Sequence, residues 1–163
     1  MSRLDSFIRR LQAQRACLDH ALLLVQGVPG PIFELGLGNG RTFDHLCEHG
    51  SGREIFVFER KVAAHPECTP EPDFLFEGPI EETLPAAVTS FVNKVAFIHA
   101  DLGSGRPEID EKTSAFLSRQ APQLLCPGGI ILSDQPLEIE GAEALPLPDG
   151  VAPGRYFFFR MEA

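Results

Sequence analysis

Apolar and polar positions follow two distinct periods along this chain. Leu4, Phe7, Ile8, Leu11, Leu18, Leu22 and Val25 recur at helical spacing. They predict one amphipathic helix over residues 3–25, stopped by Gly27, Pro29 and Gly30. Short apolar runs then take over: Pro31 to Leu35, Glu54 to Glu59, Phe74 to Phe76, Lys94 to His99 and Ile130 to Leu132. Each has strand length, and helical stretches over residues 41–49, 81–92 and 111–125 separate several of them. Pro66, Pro70 and Pro72 argue against a full helix over residues 61–73, because proline lacks an amide donor and disrupts helix interiors.

Strands alternating with helices imply a mostly parallel α/β sheet. All-apolar strands agree, since a parallel sheet is covered on both faces. The end of the chain differs. Ala144 to Leu147 and Arg155 to Arg160 read as two strands joined through Gly150, Pro153 and Gly154, a terminal antiparallel hairpin with Phe157–Phe159 in its buried strand. If Pro146 and Pro148 both lie in a strand, their missing amides face the same edge. The expected fold is therefore a three-layer, Rossmann-like α/β domain over residues 1–163. Its N-terminal helical region is 1–28 and its sheet core 29–163.

The chain has 163 residues and a net charge of −9, from 14 basic and 23 acidic side chains. That sign argues against nucleic-acid binding, which rests on cations neutralising phosphates. Arg3, Arg9, Arg10 and Arg15 cluster early, and three of them read as the solvated face of the first helix. Cys17, Cys47, Cys68 and Cys126 form no C-x-x-C pair, so reduced thiols and a cytoplasmic setting are expected. The early apolar run from Ala21 to Val25 is too short to span a bilayer, and no membrane partner is expected. His20, His45, His49 and His65 are scattered without metal-ligand spacing.

The candidate chemistry begins at Glu34-Leu35-Gly36-Leu37-Gly38-Asn39-Gly40, with Thr42 one step further. Alternating glycines between a strand and a helix let a ligand approach the backbone, and the helix start offers free amides. Glu59 ends the second strand, 19 residues beyond Gly40. An acid about 20 residues on accepts the ribose hydroxyls in nucleoside-binding α/β folds. The other reading of Glu59 is a surface ion pair with Arg60 or Lys61. A dinucleotide fold requires G-x-G-x-x-G, and Arg41 stands where its third glycine belongs, so a nicotinamide enzyme is the weaker class.

Glu34-x-Gly36-x-Gly38-x-Gly40, Glu59, Gly78-Pro79-Ile80 and Leu124-Leu125-Cys126-Pro127-Gly128-Gly129 together resemble the ordered motifs of class I S-adenosylmethionine-dependent methyltransferases. The resemblance runs from about residue 3 to 160. It implies S-adenosyl-L-methionine as cofactor. Gly36, Leu37, Gly38, Asn39, Gly40 and Thr42 would surround its methionine part, and Glu34 would face its amino group directly or through water. Glu59 and Arg60 would lie at the ribose, and Gly78, Pro79 and Ile80 at the adenine. His99, Ala100 and Asp101 would border the sulfonium, with Asp101 and His99 as candidate catalytic groups and Asp134 a further candidate base.

The acceptor reading is a small molecule. Asn/Asp-Pro-Pro-Tyr, the signature of amino methyltransferases that act on bases and glutamine, is absent. Asp101 with Asp134-Gln135 imperfectly resembles the acid set of catechol-type, metal-dependent O-methyltransferases. No metal is expected, but these two acids are its candidate ligands; otherwise Asp134 caps a turn before Pro136. A noncatalytic, S-adenosylmethionine-binding regulator would use the same glycines and Glu59. The family usually places helices after its second and fifth strands, and both look eroded here. The uncovered apolar surface predicts a homo-oligomer, most simply a twofold dimer.

Overall fold

The structure, a computed structural model, describes residues 2–162. Helix α1 spans Arg3–Leu24. The Ser2 hydroxyl accepts from the Asp5 amide at 3.0 Å and the Asp5 carboxylate accepts from the Ser2 amide at 3.2 Å. This reciprocal cap satisfies two donors at the helix start. β1 (Ile32–Leu35), α2 (Arg41–His49) and β2 (Ile55–Glu59) follow. The proline-rich stretch forms two single-turn 3-10 helices, Pro66–Cys68 and Pro72–Phe74, each with proline first. Then come β3 (Leu75–Glu77), α3 (Ile80–Phe91), β4 (Val95–Ala100), α4 (Pro107–Leu124), β5 (Leu125–Ser133), β6 (Ala142–Leu145) and β7 (Phe157–Met161).

The seven strands form one sheet in the order β3-β2-β1-β4-β5-β7-β6. The first five are parallel, while β7 runs antiparallel to β5 and β6 antiparallel to β7. Side chains alternate across the sheet. Ile32, Val57, Phe97 and Ile130 pack under α1 and α2. Phe33, Phe58, Ile98 and Ile131 pack under α3 and α4. Burying each such side chain contributes about 1.5–3 kcal/mol before entropy is counted.

Most boundaries shift by one or two residues, β7 beginning at Phe157 rather than Arg155, and three departures have a plain physical reason. α4 begins at Pro107, four residues early, because proline at the first helical position lacks only an amide that would be unpaired anyway. β5 absorbs Cys126–Gly129 through a register shift opposite Val95 and Phe97, so the expected helix and turn become strand and bulge. β6 ends at Leu145, which leaves Pro146 and Pro148 outside the ladder.

The two eroded helices leave no large apolar patch behind. In the segment after β5, Leu137 and Ile139 are buried against the α3/α4 layer. Among the described residues the exposed large apolar side chains are Leu4, Phe7, Ile8, Leu23, Val92 and Ile109. None lies in the eroded segments, and three stand on the first turns of α1. No described helix is long and apolar enough to cross a membrane.

Candidate functional site

The C-terminal edge of the parallel strands gathers the polar residues. Gly36 ends β1 in a left-handed conformation (φ 92°), and a Cβ there would stand 3.1 Å from the Asp101 carbonyl oxygen. Gly40 (φ 78°) turns the chain into α2; its Cβ would stand 2.4 Å from the Cys68 carbonyl oxygen. Only glycine meets both demands, so the turn lies flat between the loop after β4 and the first 3-10 helix.

Glu59 holds this turn. Its carboxylate accepts from the Leu37 amide at 2.8 Å, the Gly38 amide at 3.1 Å and the Lys61 amide at 3.2 Å. No ion pair to Arg60 or Lys61 is present among the described residues, and the Lys61 contact is through backbone. Gly36, Leu37, Gly38, Asn39, Thr42 and Glu59 line a cavity of about 360 Å³. Asp101 closes one side, and Arg10, Leu11 and Gln14 of α1 roof it. The Gln14 side-chain amide donates to Asp101 at 2.5 Å, tying the roof to the floor.

Glu34 and His99 lie beneath that floor. Parallel register sets them side by side on β1 and β4, and both are 0% exposed. The His99 Nδ1 stands 2.7 Å from Glu34 Oε2, while the Thr42 hydroxyl donates to Glu34 Oε1. Burial alone would push the imidazole down, but the Glu34 carboxylate outweighs it and holds His99 above its ordinary value; Asp101 and Asp134 add to the effect. Both Glu34 oxygens are taken, so its reach into the cavity runs through Thr42. His99 Nε2 is buried without a partner.

The remaining sequence candidates lie around the cavity rather than in its wall. Gly40 is buried behind the turn, and Arg60 is exposed. The Gly78 amide donates to the Glu59 carbonyl at 2.9 Å, which sets Gly78, Pro79 and Ile80 beside the end of β2. Ala100 faces the α3/α4 layer.

A second cavity, of about 380 Å³, shares Arg10 and Asp101 with the first and adds Asp134, Arg155 and Tyr156. Asp134 accepts from the Leu102 amide at 3.2 Å and the Gly103 amide at 2.9 Å, so it braces the loop after β4 rather than a turn before Pro136. Burial and the neighbouring Asp101 push Asp134 up to about 6. No group of three or more His, Cys, Asp or Glu suited to a metal occurs among the described residues.

Sequence reading missed Arg10, Leu11, Gln14, Arg155 and Tyr156. The α1 side chains had a helical period pointing to them, but nothing that named their neighbours. Arg155 and Tyr156 sit in an irregular segment without any motif.

Residues 1–161 match a family described as S-adenosyl-L-methionine methyltransferase. The chain is 47% identical to an S-adenosyl-L-methionine methyl transferase from Silicibacter pomeroyi DSS-3, covering 98% of each chain with a TM-score of 0.91. The antibiotic-resistance methyltransferase Kmr shares the fold alone, at 9% identity, a TM-score of 0.54, and coverage of 86% of this chain and 90% of that chain. A comparison with curated proteins finds no match. With its glycine turn, its acid after β2 and its 3-2-1-4-5-7-6 sheet, the chain belongs to the S-adenosyl-L-methionine methyltransferase family, and S-adenosyl-L-methionine is its cofactor.

Proposed function

We propose that this protein transfers the methyl group of S-adenosyl-L-methionine to a small-molecule acceptor, in the cytoplasm and as a homo-oligomer. One observation carries the reading: two cavities meet at Asp101 and Arg10, one framed by the glycine turn and Glu59, the other open to an acceptor. The residues present fit the cofactor. No atom lies within 4 Å of where a Cβ on Gly38 would sit, so the turn leaves room for a ligand against its backbone. Gly36–Gly40 and Thr42 would hold the methionine part, Glu59 the ribose, and Gly78–Ile80 the adenine. When bound, the cofactor supplies an activated methyl group on sulfur. The chain's part is to orient it, exclude water and accept a proton at Asp101 or Asp134; proximity supplies much of the rate. Four free cysteines suit a reducing compartment.

Calorimetric titration with S-adenosylmethionine, S-adenosylhomocysteine and NADH tests the binding half. Micromolar binding of the first two alone is expected. Glu59→Ala should weaken it about 10–100-fold, the loss of one or two charge-assisted hydrogen bonds. No binding by the folded wild type would overturn the reading.

A further inference from the structure

We propose that the acceptor is a small amine that also carries an anionic group, its nitrogen held at Asp101 and Asp134 and its anion at Arg10 and Arg155. This rests on the methyl-transfer reading above and names its substrate class.

The second cavity separates its charges. Asp101 and Asp134 follow β4 and β5 and lie half-buried, while Arg10 and Arg155 are exposed at the mouth. The arginine ion pairs among the described residues belong to Arg106 and Arg160, so Arg10 and Arg155 keep their guanidinium donors for a ligand. Tyr156 forms part of the same wall. Its ring is buried, while its hydroxyl takes no partner among the described residues and opens on the cavity, where it can meet a polar group of the ligand.

The charge pattern selects among nucleophiles. A phenolate or thiolate would enter against two carboxylates and be repelled. A cationic nitrogen is drawn to the same two carboxylates. A guanidinium fork matches a carboxylate or phosphate and gives a plain alkylamine nothing. The step balances simply. The bound ammonium gives one proton to Asp134, and the freed lone pair forms the nitrogen–carbon bond. The methyl–sulfur bond breaks with its electron pair left on sulfur, and the product leaves as a methylammonium. A carboxylate raised toward neutrality takes that proton more readily than an ordinary one.

The test uses the full-length protein loaded with S-adenosylhomocysteine. Calorimetry compares free amino acids and ω-aminocarboxylates with the amine and the carboxylate of each skeleton, and with catechol and a simple alkyl thiol. The same compounds are then offered with methyl-labelled S-adenosylmethionine. The expected result is an aminocarboxylate that binds at least 10-fold more tightly than either truncated partner and takes up label on nitrogen. Asp134→Asn and Arg155→Ala should each weaken its binding at least 10-fold, and Arg155→Ala should leave S-adenosylhomocysteine affinity unchanged, since Arg155 does not line the cofactor cavity. Label on the phenol or thiol instead, or no aminocarboxylate bound by a protein that holds S-adenosylhomocysteine, overturns the acceptor class alone. Failure of the wild type to bind S-adenosylhomocysteine overturns the methyl-transfer reading, and this proposal with it.

Discussion

A carboxylate and an imidazole, both fully buried and 2.7 Å apart, stand under the glycine turn. Removing one partner of such a pair leaves the other uncompensated in a low-dielectric interior. Glu34→Ala should therefore cost about 3–5 kcal/mol in urea denaturation. The pair also sets a pH dependence. His99 is raised above its ordinary 6.5, so its contribution is full below pH 6.5 and fades as pH climbs through the raised value. Asp134 acts in a lower window: raised from 3.8 to about 6, it favours the folded state at acid pH and loses that contribution as pH rises through about 6. Urea midpoints of the wild type should fall between pH 6.5 and 9. In Glu34→Gln the largest upward influence on the imidazole is gone, leaving burial against the smaller pull of Asp101 and Asp134, and this fall should shrink markedly.

The turn between β1 and α2 is the element on which cofactor geometry depends, and its glycines serve different ends. A methyl group at Gly40 would strike the Cys68 backbone, whereas one at Gly38 would meet only open space. Gly40→Ala should push the Pro66–Cys68 turn away, lowering the melting temperature and cutting S-adenosylhomocysteine affinity at least 10-fold. Gly38→Ala should cost about 1–2 kcal/mol for its left-handed backbone alone, and weaken binding by projecting a methyl group into the cavity. Calorimetric binding and thermal melts on both variants check this. Equal behaviour of the two would refute the distinction. The first 3-10 helix thus replaces the usual helix as a backstop for the turn.

At the scale of the whole molecule, α1 reaches past the core. Residues 2–10 are exposed, and Leu4, Phe7 and Ile8 are 66%, 44% and 44% exposed. The proposed homo-oligomer therefore finds its support on α1 rather than over the eroded helices, whose place is filled by short covering segments. Sedimentation velocity at micromolar concentration should give a dimer. The double substitution Phe7→Glu with Ile8→Glu should return a monomer near 17.9 kDa, because each charge would be buried unpaired at the contact. A wild-type monomer would remove the oligomer.

Much of the architecture was legible in the residues because it depends on local order. Ile32–Leu35 and Val95–Ala100 are apolar enough to need cover on both faces, and residues 41–49 match α2 as observed. The glycine turn and Glu59 were legible because one crossover fixes their spacing. Tertiary structure alone decided the rest. Glu34 and His99 are 65 residues apart and meet only through parallel register. Arg10 reads as a solvated arginine until α1 is laid across the sheet edge, and Arg155 and Tyr156 have no signature until the chain reverses into β7. A helical or strand period reports which face a side chain takes. Which distant side chains share a cavity is set by strand order and helix packing, contacts that no local pattern encodes.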